Sequence, residues 1–503
     1  MKKNNILTRG KKQRAYACYQ DGRLEEAREL YARVCDQDKH DADAWFMLGM
    51  INGLLGDYAE AEHCGRRVIS LQPERSEAYF NLARAQELQE KFDSAMDNYR
   101  RAVSLQPQWA EASNNLGNTL AELGDHDEAL SCYRRALDMK PAYARACYNM
   151  GKLYEMHGDP EQALVAFDQA LNINSEFAEA HWDRALLRLT LGRLADGWRE
   201  YEWGFPVGER AVRSVSLPRW NGDPQTEKCL LVCAEQGVGD QIMFASCLSQ
   251  AKDRVDRCII ECEPRLKPLF ARSFTDATVI GTGESLASVP RPADMYIPLG
   301  SLPGLFRSEV GHFPMYRGYL VANSEQLEKW RARYVAIDGG IKVGISWRGG
   351  KKRRVKQQRS TVLDQWCDIL NTGNVQFINL QYGDCKNELA DFKHRHGVIV
   401  HDWNDADPLR NLDDFAAQIT ALDLVISVDN ATVHIAGALG VPVWTLLPYA
   451  ADWRWLRNRA DSPWYPSMRL FRQSGLNDWQ SAFAHVAAEL RMYVSKDANG
   501  RSD

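Results

Sequence analysis

Four stretches of this chain carry residues whose types could do chemistry. The first, Q-G-V-G-D-Q (236–241), follows an apolar run and sets Gly237 and Gly239 beside Asp240. Glycine lets backbone come close to a ligand, and a helix start offers unpaired N–H groups. Asp240 can cap that helix or accept a proton, and the spacing allows both. The third glycine of a dinucleotide fingerprint is missing. The second, V-I-S-V-D-N-A-T-V-H-I-A-G-A-L-G (425–440), is another strand-to-helix step. Its helix start is a natural diphosphate site, with Asp429 able to accept from sugar hydroxyls and Asn430 and Thr432 able to donate. A plainer reading makes Asp429 a cap and His434 a hydrogen-bonded core residue.

The third stretch, S-W-R-G-G-K-K-R-R-V-K-Q-Q-R-S (346–360), holds seven basic residues from Arg348 to Arg359. It reads as a solvated loop, as a nucleic-acid patch, or as an anion clamp in which Arg348 and Arg359 are aimed. A net charge of -5 leaves no wider basic field, so nucleic acid is not an expected partner. The fourth, D-W-R-W-L-R-N-R-A-D-S-P-W-Y-P-S-M-R-L-F-R-Q (452–473), interleaves Arg and Trp. Such residues stack on bases and meet phosphate, or brace one part of a fold against another; bracing is the expectation for most of them. The 12 cysteines form no CxxC pair and the histidines no ligand-spaced cluster, so no metal site is expected. Unpaired cysteines point to a reducing, cytoplasmic setting. The N-terminus lacks the apolar core of a signal peptide, and no membrane span is expected.

These stretches need elements to position them. At 503 residues the chain exceeds one hydrophobic core. Its first part repeats every 34 residues on Ala27, Ala61, Ala95, Ala129 and Ala163. Tyr31, Tyr99, Tyr133 and Phe167 follow four of these alanines by four residues. Gly22, Gly56, Gly124, Gly158 and Gly192 share a register in which Glu90 takes the remaining slot, and Pro73, Pro107 and Pro141 close three units. Small alanines let helices approach, aromatics fill the gaps, and Gly and Pro end the helices. The pattern resembles the tetratricopeptide repeat, with five clear units and a sixth ending at 197–205. Stacked units of that kind make a superhelix with a groove. Asn81, Asn115 and Asn149 recur at one repeat position. They form either a track for a peptide backbone or a merely polar row. The row resembles the asparagine ladder of the protein O-linked N-acetylglucosamine transferases.

After about residue 205 the period stops, and apolar strands alternate with helices. C-L-L-V-C-A-E (229–235), R-C-I-I-E-C (257–262) and A-T-V-I-G (277–281) form one series. K-V-G-I-S-W (342–347), V-Q-F-I-N-L-Q (375–381), G-V-I-V-H-D (397–402), D-L-V-I-S-V-D (423–429) and V-P-V-W-T-L-L-P (441–448) form a second. Such series predict parallel sheets covered on both faces, with ligands beyond the carboxyl ends of the strands.

Together, E-Q-G-V-G-D-Q-I-M-F-A, S-L-P, V-G-I-S-W, R-S, L-Q and D-L-V-I-S-V-D-N-A-T-V-H-I-A-G-A-L-G-V-P-V-W-T-L-L-P, in that order, resemble bacterial tetratricopeptide-repeat glycosyltransferases. Their catalytic region is similar to the heptosyltransferases of glycosyltransferase family nine. The resemblance implies an α plus α/β chain: repeats at 1–204, an acceptor-side Rossmann-like lobe at 205–322 and a nucleotide-sugar lobe at 323–503, the two lobes making a GT-B fold. It implies Asp240 as catalytic base. Gly237, Gly239, Arg348, Arg359, Gln381, Asp429, Asn430, Thr432 and His434 become donor-binding residues, and Asn81, Asn115 and Asn149 peptide-binding ones. It implies a nucleotide-sugar co-substrate, no metal or other cofactor, inversion, and an acceptor protein such as flagellin. Asn430 and Ala431 depart from the Thr-Gly of the family motif, which removes a close backbone approach and a hydroxyl donor. The rival expectation is a repeat scaffold whose sugar-nucleotide region is degenerate.

Overall fold

The computed structural model describes residues 2–500 apart from 316, 338, 351–358, 404 and 406. The chain forms two compact units, residues 1–180 and 181–503.

The first unit is all helical: α1 (Lys2–Gln20), α2 (Leu24–Gln37), α3 (Ala42–Leu54), α4 (Tyr58–Leu71), α5 (Ser76–Glu87), α6 (Phe92–Leu105), α7 (Ala110–Leu123), α8 (His126–Met139), α9 (Ala144–Met156) and α10 (Pro160–Ile173). They pair as five tetratricopeptide-type hairpins. Aspartates start several of them: Asp41, Asp57, Asp125 and Asp159 each accept the backbone N–H three residues on. Between hairpin arms, a small residue of the first helix receives the aromatic of the second. A Cβ on Gly117 would lie 2.6 Å from the Tyr133 ring, and one on Gly151 2.5 Å from Phe167. The turn glycines Gly22, Gly56, Gly124 and Gly158 all have positive φ, and Glu90 takes the same conformation at +59°.

Two further helices, α11 (Ala178–Thr190) and α12 (Leu194–Tyr201), continue the 34-residue period. Most of α11 and all of α12 fall in the second unit. Trp182, Leu189, Leu194, Trp198 and Tyr201 share one core with Phe244, Trp453 and Trp464. The Trp198 indole donates to the Arg307 carbonyl (3.0 Å).

The rest of the second unit is a parallel α/β region. Among the described residues, one sheet has the order β3-β2-β1-β4. Its strands are β1 (Gln225–Cys233), β2 (Val255–Cys262), β3 (Ala277–Gly281) and β4 (Met295–Pro298). The other has the order β10-β9-β8-β5-β6-β7. It comprises β5 (Ile341–Ser346), β6 (Val375–Asn379), β7 (Val400–His401), β8 (Leu424–Val428), β9 (Val443–Leu447) and β10 (Met468–Arg472). All neighbours in both sheets run parallel. The strand order reverses at β1/β4 in the first sheet and at β5/β8 in the second. Those switch points open crevices beyond the strand ends, where doubly wound sheets bind ligands. The strand β4 belongs to neither expected strand series, and β10 falls in the Arg/Trp-rich stretch 452–473. Both are short edge strands, and β10 carries arginines at its second and fifth positions.

Candidate functional site

Asp240 follows β1, in the first turn of the helix Val238–Ala245. Its Oδ2 accepts the Gly237 N–H (3.1 Å), so it does cap this helix. Its Oδ1 accepts from Nε of Arg454 (2.8 Å) and also from Nη2 of that guanidinium. The two glycines have separate jobs. Gly237 is the N-cap, with an extended backbone, and the positive φ of this loop falls on Gln236 instead (+60°). Gly239 leaves room for a ring: a Cβ there would stand 2.9 Å from Cδ2 of His434.

That ring belongs to the helix Ala431–Ala438, which follows β8 and packs on the helix Val238–Ala245. The two loops picked out by sequence therefore meet. Asn430 caps the second helix by accepting the Thr432 N–H (2.9 Å). Its Nδ2 donates to Ser346 Oγ (2.8 Å) and the Arg348 carbonyl (3.0 Å), tying β8 to β5 across the switch point. Gln381, after β6, accepts the N–H groups of Trp347 (2.9 Å) and Arg348 (2.8 Å) and so holds the start of the basic loop. His434 is buried, with Nδ1 3.0 Å from the Tyr465 hydroxyl and its ring stacked on Trp455. Burial pushes its imidazole down to about 4, against the pull of Asp429 and Asp240.

Electrostatics link the two loops. Nη1 of Arg359 lies 2.9 Å from Oδ2 of the buried Asp429, without the alignment of a hydrogen bond. The other Arg359 nitrogen donates to Asp452 Oδ2 (2.9 Å). Asp452 also accepts from Arg454, which reaches Asp240. The result is an alternating chain, Asp240–Arg454–Asp452–Arg359–Asp429, with three anions and two cations. Burial alone raises the Asp452 carboxyl and lowers both guanidiniums. Pairing reverses each direction: Asp452 falls well below the usual carboxylate range, and Arg359 and Arg454 rise.

Arg348 turns elsewhere. Its Nη1 pairs with Glu388 Oε2 (2.9 Å), and only its backbone touches the Asn430 network. Lys351, Lys352, Arg353, Arg354 and Lys356 lie outside the described residues. Sequence reasoning did not single out Arg454 and Asp452, which lie in a stretch assigned mainly to bracing. The tryptophans there do brace: Trp453 meets Trp198 (5.4 Å between ring centres) and stacks near Phe244 (6.3 Å). Arg454 lies over the Trp453 ring at 4.5 Å within a 3-10 turn, so the bracing tryptophans and the ion pairs share one short segment and no simple alternation marks which residue does which.

In the first unit, Asn149 donates to Asn114 (3.0 Å) and Asn118 (2.8 Å), while Asn114 donates to Asn115 (3.1 Å). Asn115 and Asn149 are thus joined through a neighbour that sequence reasoning omitted. Asn81 stands apart, lining an apolar hollow with Trp45, Phe46 and Met50. Among the described residues no His, Cys, Asp and Glu group is arranged to hold a metal ion, and no helix is long and apolar enough to cross a membrane.

Tetratricopeptide-repeat family models match residues 8–51, 54–110 and 110–176. The chain is 31% identical over 328 residues to Protein FlbA of Caulobacter vibrioides. That alignment takes in 62% of this chain and 55% of the relative's length. Among solved structures, MamA matches 33% of this chain at 25% identity, covering 96% of its own, with a TM-score of 0.31. YrrB, described as a tetratricopeptide-repeat protein with an unusual peptide-binding site, matches 35% at 26% identity, covering 91% of its own, with a TM-score of 0.32. The chain therefore carries tetratricopeptide repeats across its N-terminal region, followed by a parallel-sheet α/β region.

Proposed function

We propose that the protein is a cytoplasmic, metal-independent glycosyltransferase of heptosyltransferase-like GT-B type. In this reading β1–β4 form the core of the acceptor-side lobe and β5–β10 that of the nucleotide-sugar lobe. The observation that carries it is the meeting of Asp240, at one switch point, with the Asn430 helix start and Arg359 at the other. The donor's diphosphate would sit at the N–H groups of the helix Ala431–Ala438, beside Arg359. Arg348 would join it by leaving Glu388. Asp240 takes the proton of an acceptor hydroxyl as its oxygen bonds to the anomeric carbon. The bond from that carbon to phosphate breaks, and its electrons leave with the phosphate oxygen. Arg359 and the helix amides stabilise that charge and need no metal to do so. Asp429 accepts from sugar hydroxyls. The repeats, a fold that commonly binds peptides or proteins, would recruit an acceptor protein, of which flagellin is one possible example.

Asp240→Asn keeps the helix cap and removes the base. Transfer, read by mass spectrometry of candidate acceptor proteins, should fall by about 100- to 10,000-fold, while the variant, though less stable for the lost Arg454 pair, still unfolds cooperatively. Near-normal turnover sinks the base. A second reading, a binding scaffold with a degenerate site, is favoured by one observation: both Asp240 oxygens are engaged, and Arg348 is committed to Glu388. Thermal-shift screening with UDP-, GDP-, ADP- and CMP-sugars separates the two readings, since a scaffold of this kind is stabilised by none.

A further inference from the structure

The chain of ion pairs poses a chemical problem. A general base works through open lone pairs, and three of the roughly four on the Asp240 carboxylate are taken: Oδ1 faces two N–H groups of Arg454 and Oδ2 faces the Gly237 amide. Arg454 is itself mostly enclosed, held by Asp452 and lying over the Trp453 ring at 4.5 Å. Asp452 in turn holds Arg359, the cation beside Asp429 and the Asn430 helix start. A diphosphate arriving at that helix start brings a stronger anion than either aspartate. Along the ion-pair chain Arg359 stands one link and Arg454 three links from Asp429, and both guanidiniums present planar forks suited to phosphate.

We propose that Arg454 is shared between the base and the donor: it pairs with Asp240 before the donor binds and turns to the donor's diphosphate when that binds. Resting on the glycosyltransferase reading, this makes Arg454 a phosphate ligand and makes donor binding the event that frees Asp240. Acceptor deprotonation then follows donor binding, which keeps the base covered when there is no sugar to transfer. No bond is made or broken in the exchange; Asp240 loses two N–H donors and the phosphate gains them.

The exchange has a thermodynamic signature, because Asp240 and the diphosphate compete for one cation. Asp240→Asn weakens the competitor and should tighten binding of the nucleoside diphosphate, by roughly three- to tenfold for a relieved charge-assisted pair. Arg454→Gln should weaken binding by about tenfold or more. The double variant should bind like Arg454→Gln alone, since Asp240 then has nothing to withhold. Arg454→Lys, which keeps the charge but not the fork, should fall between and serves if the Gln variant does not fold. The measurement is isothermal titration of the full chain with UDP, GDP, ADP and CMP. Binding to the native protein that is unchanged or weakened by Asp240→Asn overturns the exchange and leaves the glycosyltransferase reading standing. Failure of every nucleotide to bind the native protein overturns both.

Discussion

At the scale of single residues, the buried imidazole of His434 makes the second unit sensitive to mild acid. Burial holds its folded value at about 4, whereas an unfolded histidine titrates at about 6.5. As pH falls below about 6.5 the unfolded chain takes up a proton that the folded one refuses, until the pH nears 4. The stability linked to this group is therefore complete above that window and lost through it, by about 2 kcal/mol at pH 5. His434→Gln removes the titration while keeping a polar partner for Tyr465. Urea midpoints measured at pH 7 and pH 5 should converge in the variant relative to the native protein. An unchanged difference between the two pH values means that His434 does not carry this dependence.

At the scale of elements, the repeat turns offer a test with little packing involved. Gly22, Gly56, Gly124 and Gly158 take a left-handed backbone, and Glu90 takes it without the freedom glycine has. Glu90→Gly should raise stability by about 0.5 kcal/mol or less, the relief of strain being partly offset by a freer unfolded chain and by loss of the interaction the Glu90 side chain makes. Gly124→Ala should lower it by about 1 kcal/mol, and the cause is backbone alone, because a Cβ there meets nothing within 4 Å. Opposite shifts in the urea midpoint of the first unit check both. Glu90 was legible as an exception because a 34-residue period states which slot should be glycine. The long apolar strands were legible for a similar reason, since buried parallel strands are continuous runs. The edge strands β4 and β10 were not, because β4 has only four residues and runs into a proline, and β10 lies among charged residues. Nor was the placing of Arg454 opposite Asp240, 214 positions away, since an ion pair between distant segments leaves no local pattern. Gly239 was read as space for a ligand, and the space holds the His434 ring.

At the scale of the molecule, periodicity and packing divide the chain differently. The sixth helical pair keeps the spacing of the first five, yet α12 and most of α11 belong to the compact unit of the two sheets. Trp198 meets Trp453 and Tyr201, and the Tyr201 hydroxyl donates to Gln236 (3.1 Å) in the loop that leads to Asp240. A fragment starting at residue 205 loses Trp182, Trp198 and Tyr201 and uncovers Phe244 and Trp453. Three large side chains at about 2–3 kcal/mol each approach the whole stability of an ordinary domain, roughly 5–15 kcal/mol. A fragment of residues 178–503 should therefore be recovered soluble and unfold in one cooperative step. A fragment of residues 205–503 should aggregate, or bind hydrophobic dye and unfold without a sharp transition. Equal urea midpoints for the two fragments would show that the sixth pair is an appendage to the α/β region and contributes little to its core.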